Sequence, residues 1–83
     1  MPNFKHHERT LTTLCQHLHR KAYHFHVTLL DGRKIKYVRI AERGQKSLLL
    51  NDKNGECEAI TYAEIVEIRY TSNRVAFTRE GRG

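Results

Sequence analysis

Three groups of residues in this chain are of types that can do chemistry. The first is a run of cations, Arg33, Lys34, Lys36, Arg39, Arg43 and Lys46. Guanidinium and ammonium groups in a row can replace the counterions of a phosphate backbone, so the run is a candidate nucleic-acid-binding surface. Side chains two apart on a strand share a face, which places Lys34 and Lys36 together. Tyr37 or Tyr62 can offer a flat ring for a stacked base, worth about 1–3 kcal/mol where a base lands on it. The opposing possibility is that Tyr37 is core and the lysines are a wet edge that discourages sheet aggregation.

The second group is the histidines, six in 83 residues. Cys15, His17 and His19 are close in sequence, and His24 and His26 are two apart. Zinc needs about four ligands converging in a tetrahedron. Cys15 and His19 share a helix face but His17 points elsewhere. His24 and His26 share a strand face, and no paired CxxC or HxxxH frame is present. No metal and no cofactor is therefore expected. The histidines are read as conditional positive charge below about pH 6.5.

The third group is the carboxylates. Residues 51–70 carry five Asp and Glu against two Lys and Arg, whereas residues 23–50 carry six Lys and Arg against two Asp and Glu. This asymmetry points to two different faces. A nucleophile needs a base within reach and a third group to orient it. No spacing here supplies such a set or singles out an acid–base pair of carboxylates, so the expectation is a binding protein and not an enzyme. The acidic stretch instead suits a docking surface steered by charge.

The elements that must position these groups can be read from periodicity. Leu11, Leu14, Cys15, Leu18 and Ala22 form one helical stripe over residues 10–22, with Thr10 as a cap and Arg20 and Lys21 in the last turn. From Tyr23 the period becomes two: Tyr23, Phe25, Val27 and Leu29 alternate with His24, His26 and Thr28. Asp31-Gly32 marks a tight turn. In the second strand the apolar phase slips after Tyr37, from Ile35 and Tyr37 to Val38 and Ile40, which predicts a bulge or sharp bend. Leu48-Leu49-Leu50 is a third strand and Asn54-Gly55 a turn. Residues 57–62 make a fourth strand, 61–64 a tight turn, and Val66, Ile68 and Tyr70 a fifth strand. Val75 and Phe77 are a possible short sixth element, and residues 79–83 read as frayed.

Length sets the frame. Eighty-three residues allow one domain with a modest core. At 29% charged and 39% hydrophobic the chain reads as globular, and a net charge of +6 suits a polyanionic partner. No apolar run is long enough for a membrane span, and the N-terminus has no hydrophobic signal core, so a cytoplasmic protein is expected. Cys15 and Cys57 are read as small buried hydrophobes.

One helix followed by five short strands, the second bent, predicts a mainly β fold: a small five-stranded antiparallel barrel over residues 23–70, with a tail at 71–83. The order of elements and the stretch Leu29-Leu30-Asp31-Gly32-Arg33-Lys34-Ile35 resemble the Sm-like fold. Within it, Leu14-Cys15-Gln16-His17, the Asp31-Gly32 turn, and Gly55-Glu56 followed by Tyr62-Ala63-Glu64-Ile65-Val66-Glu67-Ile68 are similar to the bacterial Rho-binding antiterminator family, Rof. The resemblance spans about residues 11–70. It implies a non-catalytic transcription regulator that binds the termination factor Rho and inhibits termination. The helix face at Gln16, His17 and Arg20 would dock, with Glu56 and Glu58 as secondary contacts. The chain departs from Sm proteins where Tyr37 takes the place of their usual strand-two Gly. It departs again at Ser47 and Ala63-Glu64, which replace their RNA-contacting positions. Direct binding of single-stranded RNA by the basic strand and loop is the alternative.

Overall fold

A computed structural model describes residues 4–79, with side chains from residue 10 to residue 79. The basic side chains at positions 5–9 and the tail residues 80–83 lie outside the described residues. The elements run α1 (Phe4–Lys21), β1 (Phe25–Leu29), β2 (Lys34–Arg43), β3 (Ser47–Asn51), β4 (Cys57–Thr61), a 3-10 turn (Tyr62–Glu64), β5 (Ile65–Tyr70) and β6 (Val75–Thr78).

The helix starts two turns before Thr10, so Thr10 does not cap it. No glycine or proline interrupts residues 4–21, and the apolar stripe alone cannot show where a polar helical turn begins. Its end is set by local geometry. The Tyr23 N–H donates to the Leu18 carbonyl at 3.1 Å and the Ala22 N–H to the His19 carbonyl at 3.2 Å. Ala22 takes a left-handed φ of 56°. This double bond is the Schellman arrangement, and Ala22 fills the position usually held by Gly. Ala22 is consequently exposed and leaves the apolar stripe, which consists of Leu11, Cys15 and Leu18, fully buried, with Leu14 partly so.

All neighbouring strands are antiparallel, in the order β4-β3-β2-β1-β5-β6. Phe25, Val27 and Leu29 of β1 face the core with Val38 and Ile40 of β2, Leu48 and Leu50 of β3, and Ile65 and Ile68 of β5. Helix α1 closes this core, packing chiefly on β2 and also touching β6 and the 3-10 turn.

The five-stranded barrel expected from the sequence does not form. The sheet has six strands and stays open. After Tyr70 the chain turns back at once, with the Asn73 N–H donating to the Tyr70 carbonyl and the Tyr70 N–H to that of Arg74. The returning β6 pairs along β5. It thereby occupies the edge that β4 would need to close a ring. Arg79 is not frayed either. Its guanidinium donates to the carbonyls of Tyr62 and Ala63, at 3.2 and 3.3 Å, and so ties β6 to the 3-10 turn.

The turns form where glycine pointed. Gly32 has φ 93° and Gly55 φ 84°, a region open to Gly at little cost. Asp31 accepts the Arg33 N–H, and Asp52 accepts the N–H groups of Asn54 and Glu56, so both turns are braced by an Asp side chain. The phase slip in β2 is also real. Phe25 pairs with Val38 and Val27 with Ile35, so three steps of β2 oppose two of β1. Tyr37 absorbs the extra residue with φ 58°.

Candidate nucleic-acid interface

The bulge decides the outer face of the sheet. Because β2 gains a residue opposite His26, Lys36 and Tyr37 both turn outward before Val38 and Ile40 return to the core. On β1 the outward residues are His26 and Thr28, and β5 pairs Arg69 with His26 and Glu67 with Thr28. Lys34 pairs with Thr28 from the other side. These alternations converge on a groove of about 610 Å³ lined by His26, Lys34, Lys36, Tyr37, Glu67 and Arg69, with the β5–β6 turn at one end.

Charge in the groove is unevenly committed. Arg69 pairs with Glu67 at 3.2 Å and donates to the Asn73 carbonyl at 2.9 Å. Lys34 and Lys36 form no ion pair among the described residues. Three cations against one carboxylate leave the groove net positive. Tyr37 is 47% exposed. Its N–H donates to His26 Nδ1 at 3.1 Å, and the two rings meet edge to face with centroids 4.6 Å apart. A ring nitrogen that accepts must be unprotonated, so this His26 is neutral with its proton on Nε2. Partial burial and then the Lys36 charge hold its pKa below the ordinary histidine value.

The cationic run read from the sequence is therefore not one surface. Lys34 and Lys36 line the groove. Arg33 is paired with Glu58 across the fold and with Asp31 at 3.5 Å. The Glu58 hydrogen bond is the main cause that raises its pKa above the ordinary arginine value. Arg39 is half-buried and pairs with Asn51 on the β3 side of the sheet. Arg43 lies near Tyr62 and Cys15, and Lys46 lines a separate hollow of about 460 Å³ with Thr12, Gln45 and Tyr62. β2 pairs with β1 over its lysine half and with β3 only from Arg39 onward, so beside Lys34 and Lys36 the strand has a ladder partner on one side alone, as the edge reading expects.

Tyr62 is not a stacking platform. It is 8% exposed, and its hydroxyl donates to the Gly44 carbonyl at 3.4 Å. Burial raises its pKa, with Cys15 adding to the rise and Arg43 opposing it. The cysteines also part company. Cys15 is buried, but Cys57 is exposed on β4, because the alternation there turns Ile60 inward instead. Burial pushes the Cys15 thiol up to about 12, against a smaller pull from Arg43, which makes it a poor metal ligand. His24 precedes β1 and does not share a strand face with His26.

Of the residues expected to dock a protein, Gln16, His17 and Arg20 stand exposed on α1, with the His17 ring edge-on to Tyr23 at 5.7 Å. Glu56 is exposed in the β3–β4 turn, whereas Glu58 is engaged by Arg33. His26 as a structural partner and Arg69 as a groove cation were not singled out by sequence reasoning. Their outward alternation with Thr28 and Glu67 was visible, but the adjacency of β5 to β1 was not.

Among the described residues no helix is long and apolar enough to cross a membrane. Comparison with known proteins finds no matching family model, no matching curated protein and no matching solved structure.

Proposed function

We propose that this protein is a non-catalytic binding module for single-stranded RNA, on a scaffold related to the Sm-like fold, and that the outer groove is its interface. One observation carries this: an exposed tyrosine ring is raised out of the sheet beside two lysines without ion-pair partners. Ring and cations together match what a single strand offers, a π-face on every base and a charge on every phosphate. The scaffold part rests on a helix followed by β1 to β5, with an Asp-Gly turn first and a 3-10 turn between β4 and β5, to which β6 is added as a sixth strand.

The test is fluorescence anisotropy of labelled single-stranded RNA. Two or three phosphate contacts should weaken binding about 5- to 20-fold between about 50 and about 200 mM salt. No binding at the lower salt would remove the proposal.

A second reading, in which the protein regulates transcription in the cytoplasm by binding Rho as the Rof resemblance implies, is favoured by the exposed polar face of α1 at Gln16, His17 and Arg20. It becomes the leading one if RNA fails to bind and purified Rho is captured through that face.

A further inference from the structure

The backbone of Tyr37 needs an explanation that the RNA reading does not give. A non-glycine residue at φ 58° is strained by about 1–2 kcal/mol and persists only where its surroundings over-determine it. Two things do so here. The ladder to β1 clamps the bulge on both sides, through Val38–Phe25 and Ile35–Val27. Between those clamps the Tyr37 N–H turns to the imidazole of His26, 3.1 Å away. The same imidazole buttresses the Tyr37 ring edge-on.

We infer that His26 is a positioning residue. By accepting the Tyr37 N–H and bracing its ring, neutral His26 holds Tyr37 as a platform for one base, so that the groove distinguishes a base-bearing strand from a bare sugar-phosphate chain. This rests on the RNA reading of the groove. Imidazolium donates from both nitrogens and cannot accept, so protonation breaks the bond and turns two N–H groups toward each other. The charged groups that face His26 are Lys34 and Lys36 from β2, and Glu67 and Arg69 from β5. Glu67 is engaged by Arg69, and the cations oppose a further positive charge. The platform is therefore set at neutral pH and released in acid. Release does not empty the groove of charge; it adds one cation. Affinity for phosphate alone should rise in acid while the advantage of a base falls, and simple charge attraction cannot produce those opposite trends.

The experiment compares a single-stranded RNA with an abasic ribose-phosphate oligomer of equal length, from about pH 8 to about pH 5. At the upper pH the wild type should prefer the base-bearing strand roughly tenfold, the size of one stacked base. That preference should shrink several-fold in acid. His26→Phe keeps a ring without an acceptor and should lose the preference at every pH. His26→Asn offers Oδ1 near the place of Nδ1 and should keep part of it, independent of pH.

Three results would overturn the inference: a preference that does not change with pH, one that survives in His26→Phe, or equal binding of both oligomers by the wild type. If the wild type binds neither oligomer, the RNA reading itself is gone. Should His26→Phe fail to fold, nitrogen NMR of the wild type decides. An Nε2–H tautomer with a Tyr37 amide protected from exchange supports the inference, and an Nδ1–H tautomer refutes it.

Discussion

Lys34 and Lys36 at one end of β2 stand in an open groove beside an exposed ring, while Arg43 at the other end lies near a buried tyrosine and a buried thiol. The two ends belong to one strand and carry the same kind of charge. What separates them is the bulge at Tyr37, which turns the first half outward along β1 and β5 and sends the second half along β3 beneath the helix. Arg33 makes the same point within a single step of chain: next to Lys34, it is neutralised by Glu58. Cationic residues in sequence are thus only potential binding groups, and the side chains they meet decide which remain free.

Charge reversal should give the largest difference between the ends. Lys34→Glu with Lys36→Glu is expected to lower RNA affinity on the order of 100-fold, and Arg43→Glu with Lys46→Glu by less than about 3-fold. Anisotropy measures both, and equal losses would show that the groove is not the interface.

The ends should also answer to opposite limits of pH. Burial raises the Cys15 thiol to about 12 in the folded chain, and the unfolded chain ionises first, near pH 8.5–9. Stability contributed by the protonated thiol is therefore complete below that pH and is lost as pH rises toward the folded value, by up to about 1.4 kcal/mol per pH unit. Denaturant titrations at rising pH should show this slope, and Cys15→Ala should remove its onset at about pH 9 and leave only the fall that buried Tyr62 adds above about pH 10. At the groove end the sign reverses. His26 has a lowered pKa, so the unfolded state takes up the proton first, and a small loss of stability should begin as pH falls below about 6.5. A profile with no alkaline slope would mean that Cys15 is wetter than its packing indicates.

Glu58→Gln should have the smallest effect. The Arg33–Glu58 pair is solvent-exposed, with side-chain exposures of 51% and 43%, and such pairs contribute about 1 kcal/mol or less. Thermal denaturation should shift slightly and RNA binding should not change. A large gain in RNA affinity would put Arg33, released from Glu58, back into the interface.

The features legible along the chain are those that depend on near neighbours. The Leu11, Cys15 and Leu18 stripe, the alternation of β1, both Asp-braced glycine turns and the slip in β2 follow from side-chain spacing and backbone preference over a few residues. The helix start was not legible, because polar residues leave no apolar stripe to read.

Which strand lies beside which, and therefore which side chains meet, is a long-range matter. Cys57 and Cys15 are one residue type with opposite burial. Tyr37 and Tyr62 likewise look alike in sequence, yet one stands exposed and the other is sealed against Gly44. Placing β5 beside β1 brings Arg69 to His26, 43 positions apart, and placing β6 on β5 leaves the sheet open. The sign and number of cations available for binding could be counted from the chain. Their division into a pair beside an exposed ring, an arginine neutralised by Glu58 and an exposed far end near buried Tyr62 and Cys15 was decided by the tertiary fold, because strand pairing and ion pairing act between residues that only folding brings together.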